Sequence, residues 1–233
     1  MSRLDNNLPN YIIIEKEVKM KYLREALHLA GLTEHVDLRN DKGFDSQNLF
    51  REMAVLAPAA VNKLQAGLQW IKNHNIQAVI IGGTAVAHYV AGSRPLTPDV
   101  DFLVANMTDV QNKLRQEQIQ FTPLAEIGAF SGIQVPQFDT DFLDANSGTP
   151  EINRYVFQTA RNERVGGATF PIISPEVLAI VKFNIGRDKD DKDAFMLLQS
   201  GKMNKKLYLQ AVKDLRGYLH DPQSIKMYAD MIL

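Results

Sequence analysis

Apolar positions along the chain change their period several times. Val61, Leu64, Leu68 and Ile71 recur at helical spacing between residues 48 and 73, so this segment is predicted as helix with one buried face, divided at Pro58. Before it, residues 11–31 read as an amphipathic helix carrying Leu23, Leu27 and Leu29 toward a stop at Gly31, and residues 32–47 as a polar loop. Continuous apolar runs follow. AVIIGG from Ala78 predicts a buried strand, TAVAHYVA a helix ending at Gly92, and DVDFLVA a second strand. Thr108 and Gln111 match a capping box, predicting a helix from Asp109 to Gln118. Strands are expected near residues 119–122 and across IQVPQFDTDFLDA, where Pro136 argues for an edge position or a bulge. YVFQTARNERVGGATFPIIS reads as a hairpin turning at Gly166 and Gly167. Ser174 with Pro175, and Asp221 with Pro222, are helix starts in a region that is otherwise helical. The expected class is α/β (α+β): a mixed sheet flanked by helices, residues 1–174 with a helical N-terminal extension, then a helical C-terminal region over 175–233.

Composition narrows the choice of function. With 233 residues and 45% hydrophobic content the chain can bury a substantial core. Lys plus Arg number 26 against 27 for Asp plus Glu, so the net charge of −1 offers no global reason to expect nucleic acid or an anionic membrane as partner. The absence of cysteine excludes disulfides, thiolate metal sites and a cysteine nucleophile. No apolar run reaches the roughly 20 residues of a membrane helix, and none near the start resembles a signal-peptide core, which fits a soluble cytoplasmic protein.

Two aspartates one residue apart, Asp99 and Asp101, head the second strand. On a strand they project from one face while Val100 and Phe102 project from the other. Two such charges about 5 Å apart repel by roughly 3 kcal/mol at an effective dielectric near 20. A bare DxD is more often a solvated turn entering a strand. The alternatives are a shared proton or a divalent cation, and oxygen ligands of this kind suit Mg²⁺ brought with substrate phosphates. The diglycine supports the cation: Gly82 and Gly83 turn a strand into a helix, exposing backbone N–H groups where phosphate is favoured, and Thr84 adds a hydroxyl. A tight packing turn is the commoner account of GG alone. Arg94 lies within reach of a phosphate or is a surface charge, and His88, with no partner at metal-ligand spacing, reads as packed.

Taken in order, IIGGTAVAHYV, the DVDF strand, a later strand containing Asp141, and SPEVLAIVKFNIGRDKDDKDAFMLL resemble the DNA polymerase β-like nucleotidyltransferase superfamily, and most of all its AbiEii-type toxin and related bacterial branch. The resemblance covers roughly residues 60 to 200. It implies a nucleotidyltransferase-like sheet and transfer of an NMP from an NTP to a hydroxyl, dependent on Mg²⁺, with two ions during catalysis. Asp99 and Asp101 would hold metal. Asp141 would complete the site and help deprotonate the acceptor, with Asp139 on the same strand face as the alternate. Gly82, Gly83, Thr84, Arg94 and Lys182 would bind the nucleotide, although Lys182 on an apolar helix equally suits a side chain reaching to solvent. Lys189, Asp190 and Asp193 read as a solvated charged face. RNA, tRNA in particular, or protein is the implied acceptor, with an antitoxin as a further partner and no membrane. The basic stretch with Lys202, Lys205, Lys206, Lys213 and Arg216 would face an RNA backbone or be an ordinary helix surface. The alternative function is a catalytically inactive nucleotide-binding or protein-interaction module on the same fold.

Overall fold

The computed structural model describes residues 58–90, 99–124, 130–165 and 168–233, all within a unit spanning Phe44–Leu233. In chain order the elements are α1 (Pro58–Asn73), β1 (Ala78–Ile81), α2 (Gly82–Tyr89), β2 (Val100–Val104), α3 (Met107–Gln116), β3 (Thr122–Pro123), β4 (Gly132–Val135), β5 (Thr140–Asp144), α4 (Pro150–Thr159), β6 (Arg161–Val165), β7 (Ala168–Ile172), α5 (Pro175–Ile185), α6 (Asp188–Gln199), α7 (Lys205–Leu215), a 3-10 turn (Arg216–Tyr218) and α8 (Pro222–Ile232). The strands form one mixed sheet in the order β3-β4-β5-β2-β1-β7-β6. β1 runs antiparallel to β2 and parallel to β7, while β2 and β5 are parallel. The fold is therefore α/β, a mixed sheet flanked by helices.

Strand alternation sorts side chains between the two faces of this sheet. Phe102 and Phe142 share one face and stack with ring centroids 5.8 Å apart, and Phe170 meets Phe102 edge-on. α1 covers that face through Trp70, whose ring approaches both Phe138 and Phe142. Gly67 allows the approach, because a Cβ there would come within 3.2 Å of Thr140 Oγ1 and 3.3 Å of Phe138 Cβ. Trp70 Nε1 donates to Glu117 and His74 Nε2 lies 2.9 Å from the same carboxylate, tying α1 to the end of α3. On the opposite face α2 packs against α5 and α6, and Tyr89 donates its hydroxyl hydrogen to the Ile173 carbonyl.

Helix starts follow the expected chemistry in most places. Ser174 accepts from the Val177 N–H ahead of Pro175, and Asp221 accepts from Ser224 ahead of Pro222. α3 differs: its cap is Asn106, which accepts from Asp109 N–H at 3.0 Å, so the helix begins two residues before the Thr108 capping box would start it. IQVPQFDTDFLDA is not one strand but a hairpin, with Pro136 in the turn between β4 and β5 and Asp139 at φ 47°. Residues 155–159, read as the first arm of a hairpin, belong to α4, which buries Ile152, Asn153 and Val156 on one helical face. Asn153 donates to the carbonyls of Ala145 and Ser147, fastening α4 to the end of β5. The hairpin itself is β6 and β7, paired from Val165 and Ala168. The expected helix at 11–31, the loop at 32–47 and the helix before Pro58 lie outside the described residues.

The C-terminal helices are joined to the sheet by a buried carboxylate. Glu176 is 2% exposed, accepts hydrogen bonds from Arg161 on both carboxylate oxygens at 2.6 and 2.8 Å, and also accepts from the Asn204 N–H at 2.8 Å. One side chain thus links β6, α5 and the start of α7. Glu176→Ala is expected to destabilise the protein by about 2–3 kcal/mol in urea unfolding, less than loss of a fully buried pair because Arg161 keeps access to water.

Candidate active site

Three carboxylates meet at the end of the central strands. Asp99 and Asp101 project from one face by the two-residue period of β2, and the parallel register sets Asp101 opposite Asp141 on β5. One oxygen from each of the three lies within 4.8 Å of the other two. Asp139, the alternate on the same segment, does not join them: its left-handed backbone breaks the alternation, and its carboxylate pairs with Lys63 at 2.7 Å.

The diglycine turn closes on the same point. Antiparallel pairing puts Ile81 opposite Asp101, so the next residue, Gly82, lies against that side chain. Gly82 has φ +66°, and a Cβ there would fall 1.8 Å from Asp101 Oδ2. Backbone conformation and contact both demand glycine. The Gly83 N–H donates to the Asp101 carboxylate, and the buried Thr84 hydroxyl donates to the Asp99 carbonyl at 3.2 Å. Gly83 therefore meets the Asp101 side chain from the helix N-terminus, while Thr84 ties the Asp99 backbone to it.

The electrostatics are those of a crowded anionic site. Burial raises the Asp101 pKa to about 6, with further increase from Asp99 and Asp141; the Gly83 hydrogen bond and the charge of Lys182 oppose it. Asp141 is raised by burial and then by Asp99, against a hydrogen bond from Gln134. Asp141 Oδ1 is buried with no hydrogen-bond partner. Unsatisfied buried oxygen, converging carboxylates and a glycine that leaves room at Asp101 together fit a hard divalent cation.

Lys182 is buried, as its apolar helix implies, yet it does not reach solvent. Its ammonium is 2.6 Å from Asp190 and 3.0 Å from Asp193, and Arg187 closes on the other oxygen of Asp190. Asp190 and Asp193 are 0% and 3% exposed, so the expectation of a solvated charged face is wrong for both; Lys189 does remain exposed. The pairing explains it: α5 and α6 form a helical hairpin through Gly186, whose φ of +69° ends α5 and folds the acidic turn of α6 back over Lys182. Hydrogen bonds from Arg187 and Lys182 hold the Asp190 pKa below its ordinary value despite burial. His88 is packed, with its ring against Tyr89 and Nε2 3.9 Å from Glu163, and burial lowers its pKa. Arg94 lies outside the described residues. Gln134, which had no signal in the sequence apart from its place in an alternating run, was missed.

Two outcomes follow from this geometry. A carboxyl whose folded pKa exceeds its unfolded value binds more protons in the native state, so stability falls as pH rises between the two values. For Asp101, with an ordinary value of 3.8 raised to about 6, metal-free protein is expected to lose about 2 kcal/mol between pH 4 and pH 7 from this group. Unfolding titrations across that range check it, and Asp101→Asn is expected to reduce the slope to the part that Asp141 contributes. Gly82→Ala is expected to displace Asp101 and abolish stabilisation by added Mn²⁺ in thermal melts, because strain and overlap act together.

The sequence profile of a family described as "Nucleotidyl transferase of unknown function (DUF2204)" matches residues 60–225. No curated protein matches the chain. Among solved structures, an antigenic nucleotidyltransferase-like protein from Paracoccidioides brasiliensis is similar at 15% identity and a TM-score of 0.45, over 75% of this chain and 93% of that one. The lincosamide antibiotic adenylyltransferase LnuA is similar at 13% identity and 0.41, over 58% and 94%. The Megavirus polyadenylate synthase is similar at 13% identity and 0.42, over 91% of this chain and 45% of its own. These structural likenesses are too distant to add weight, and the family match, which spans most of the chain, decides: the protein belongs to the nucleotidyl transferase family of unknown function.

Proposed function

We propose that this protein transfers an NMP from an NTP to a hydroxyl acceptor and releases pyrophosphate. The observation that carries the reading is the convergence of Asp99, Asp101 and Asp141 beside the Gly82 turn. These three aspartates would hold Mg²⁺, two ions in the reacting complex. Bound there, the cation would neutralise charge on the triphosphate and lower the pKa of an acceptor hydroxyl.

The chain's own residues supply the rest. The turn at Gly82, Gly83 and Thr84 would seat the triphosphate at the N-terminus of α2, where the helix dipole and backbone favour anions. Gly83 would hold the Asp101 carboxylate toward that seat, and Thr84, bonded to the Asp99 carbonyl, would fix the backbone of Asp99 beside it. Asp141 would accept the acceptor's proton as its oxygen forms a bond to the α-phosphorus and the bond to the β-phosphate oxygen breaks. Lys182, with its ammonium held by Asp190 and Asp193, would bring positive charge to the nucleotide site from a fixed position; Arg94 would contact phosphate from the segment before β2.

The acceptor in this reading is tRNA or another macromolecule, and the protein acts as the toxin of a toxin–antitoxin pair. What supports this finer reading is the resemblance of residues 80–104 to the AbiEii-type branch, together with exposed Lys202, Lys206, Lys213 and Arg216 at and around α7. Among the described residues no helix is long and apolar enough to cross a membrane.

Incubation with α-labelled NTPs, Mg²⁺ and total RNA or protein is expected to label one acceptor, and Asp101→Asn to reduce labelling about 10³-fold, the loss of several kcal/mol of charge stabilisation. No transfer from any of the four nucleotides would overturn the proposal. Calorimetry showing NTP bound and left intact would instead support a noncatalytic nucleotide-binding module.

A further inference from the structure

β4 contributes a residue to the acidic site that its own strand does not advertise. The antiparallel register of β4 and β5 sets Gln134 directly opposite Asp141, so both side chains emerge on the face that carries Asp99 and Asp101. The neighbours of Gln134 on β4, Ile133 and Val135, point the other way and are buried at 2% and 0%. Gln134 itself is exposed, and its amide donates to the Asp141 carboxylate. Oδ1 of that carboxylate is buried with no hydrogen-bond partner.

We propose that Gln134 is a positioning residue for the metal site: facing the Asp141 carboxylate from the adjacent strand, its amide sets the carboxylate's rotation and leaves Oδ1 available to a cation. The inference rests on the reading of Asp99, Asp101 and Asp141 as metal ligands. A carboxylate on a strand rotates about two side-chain bonds, and every orientation in which Asp141 turns away from Asp99 relieves repulsion. A neutral donor on the neighbouring strand opposes that rotation without adding a charge that would compete with the cation or exclude it. Glutamine meets this need, whereas lysine would form an ion pair with Asp141 and glutamate would add to the repulsion. Partners that orient metal ligands in this way typically change metal affinity by about 10- to 100-fold when removed.

The test uses the full chain and Mn²⁺ alone as probe. Gln134→Leu preserves size and removes the donor; Gln134→Met is the second variant should the first fold poorly. Expected are unfolding temperatures in the absence of metal within about 2 °C of wild type, since Gln134 is exposed, and a Mn²⁺ affinity about tenfold weaker by calorimetry or electron paramagnetic resonance. In transfer assays the Mg²⁺ concentration for half-maximal rate should rise by the same factor, while KM for NTP and the rate at saturating Mg²⁺ stay near wild type. Wild-type Mn²⁺ affinity in both variants would overturn the role of Gln134 and leave the metal site standing. Failure of the unaltered protein to bind Mn²⁺ would overturn both.

Discussion

Three carboxylates held within 4.8 Å of one another are the constraint around which the sheet is organised. Each pair at that separation repels by about 3 kcal/mol at an effective dielectric near 20, so the trio together opposes folding by an amount comparable with the whole stability of an ordinary domain. Partial protonation relieves part of this, which is what the raised pKa values of Asp101 and Asp141 express. The remaining relief comes from groups that face the site: the Gly83 N–H, the Gln134 amide and, at longer range, the charge of Lys182. The fold holds the aspartates together because the strands that carry them are anchored by apolar packing on the opposite face, where Phe102, Phe142 and Trp70 leave β2 and β5 no freedom to separate.

The same sheet explains why the turn at Gly82 belongs to the site and is more than a connection. A strand that ends opposite Asp101 must hand the chain over to α2 within contact distance of a carboxylate, and only a residue without a side chain passes. The helix that follows then presents its N-terminal backbone to the acidic cluster. Positive partial charge from the helix and negative charge from the aspartates are placed side by side, the arrangement needed to receive a phosphate and a cation together.

The buried Lys182–Asp190–Asp193 group shows a second use of charge. Formally it is one cation between two anions, with Arg187 supplying the balance from the surface. Such a group contributes less to net stability than to fixing geometry, and here it locks α5 and α6 to each other. The lysine is thereby denied the mobility that a solvent-exposed side chain would have, and its charge is felt at Asp101 from a set position.

Local chemistry was readable along the chain wherever neighbours in sequence are neighbours in space. The facing of Asp99 and Asp101 follows from the period of a strand, the starts of α5 and α8 from Ser174-Pro175 and Asp221-Pro222, and the need for glycine at residue 82 from a strand turning at once into a helix. Where that locality fails, so does the reading. Tyr155, Val156 and Phe157 have the composition of a strand but are drawn into α4 because Ile152 and Val156 share a buried helical face. Asp190 and Asp193 resemble solvated charges until a helical turn at Gly186 brings Lys182 over them. Tertiary structure alone decided that Asp141 and not Asp139 joins the pair on β2, and that Gln134 supports it. Strand register is set by packing between segments distant in sequence, and one residue of slip would have turned each of these side chains to the opposite face.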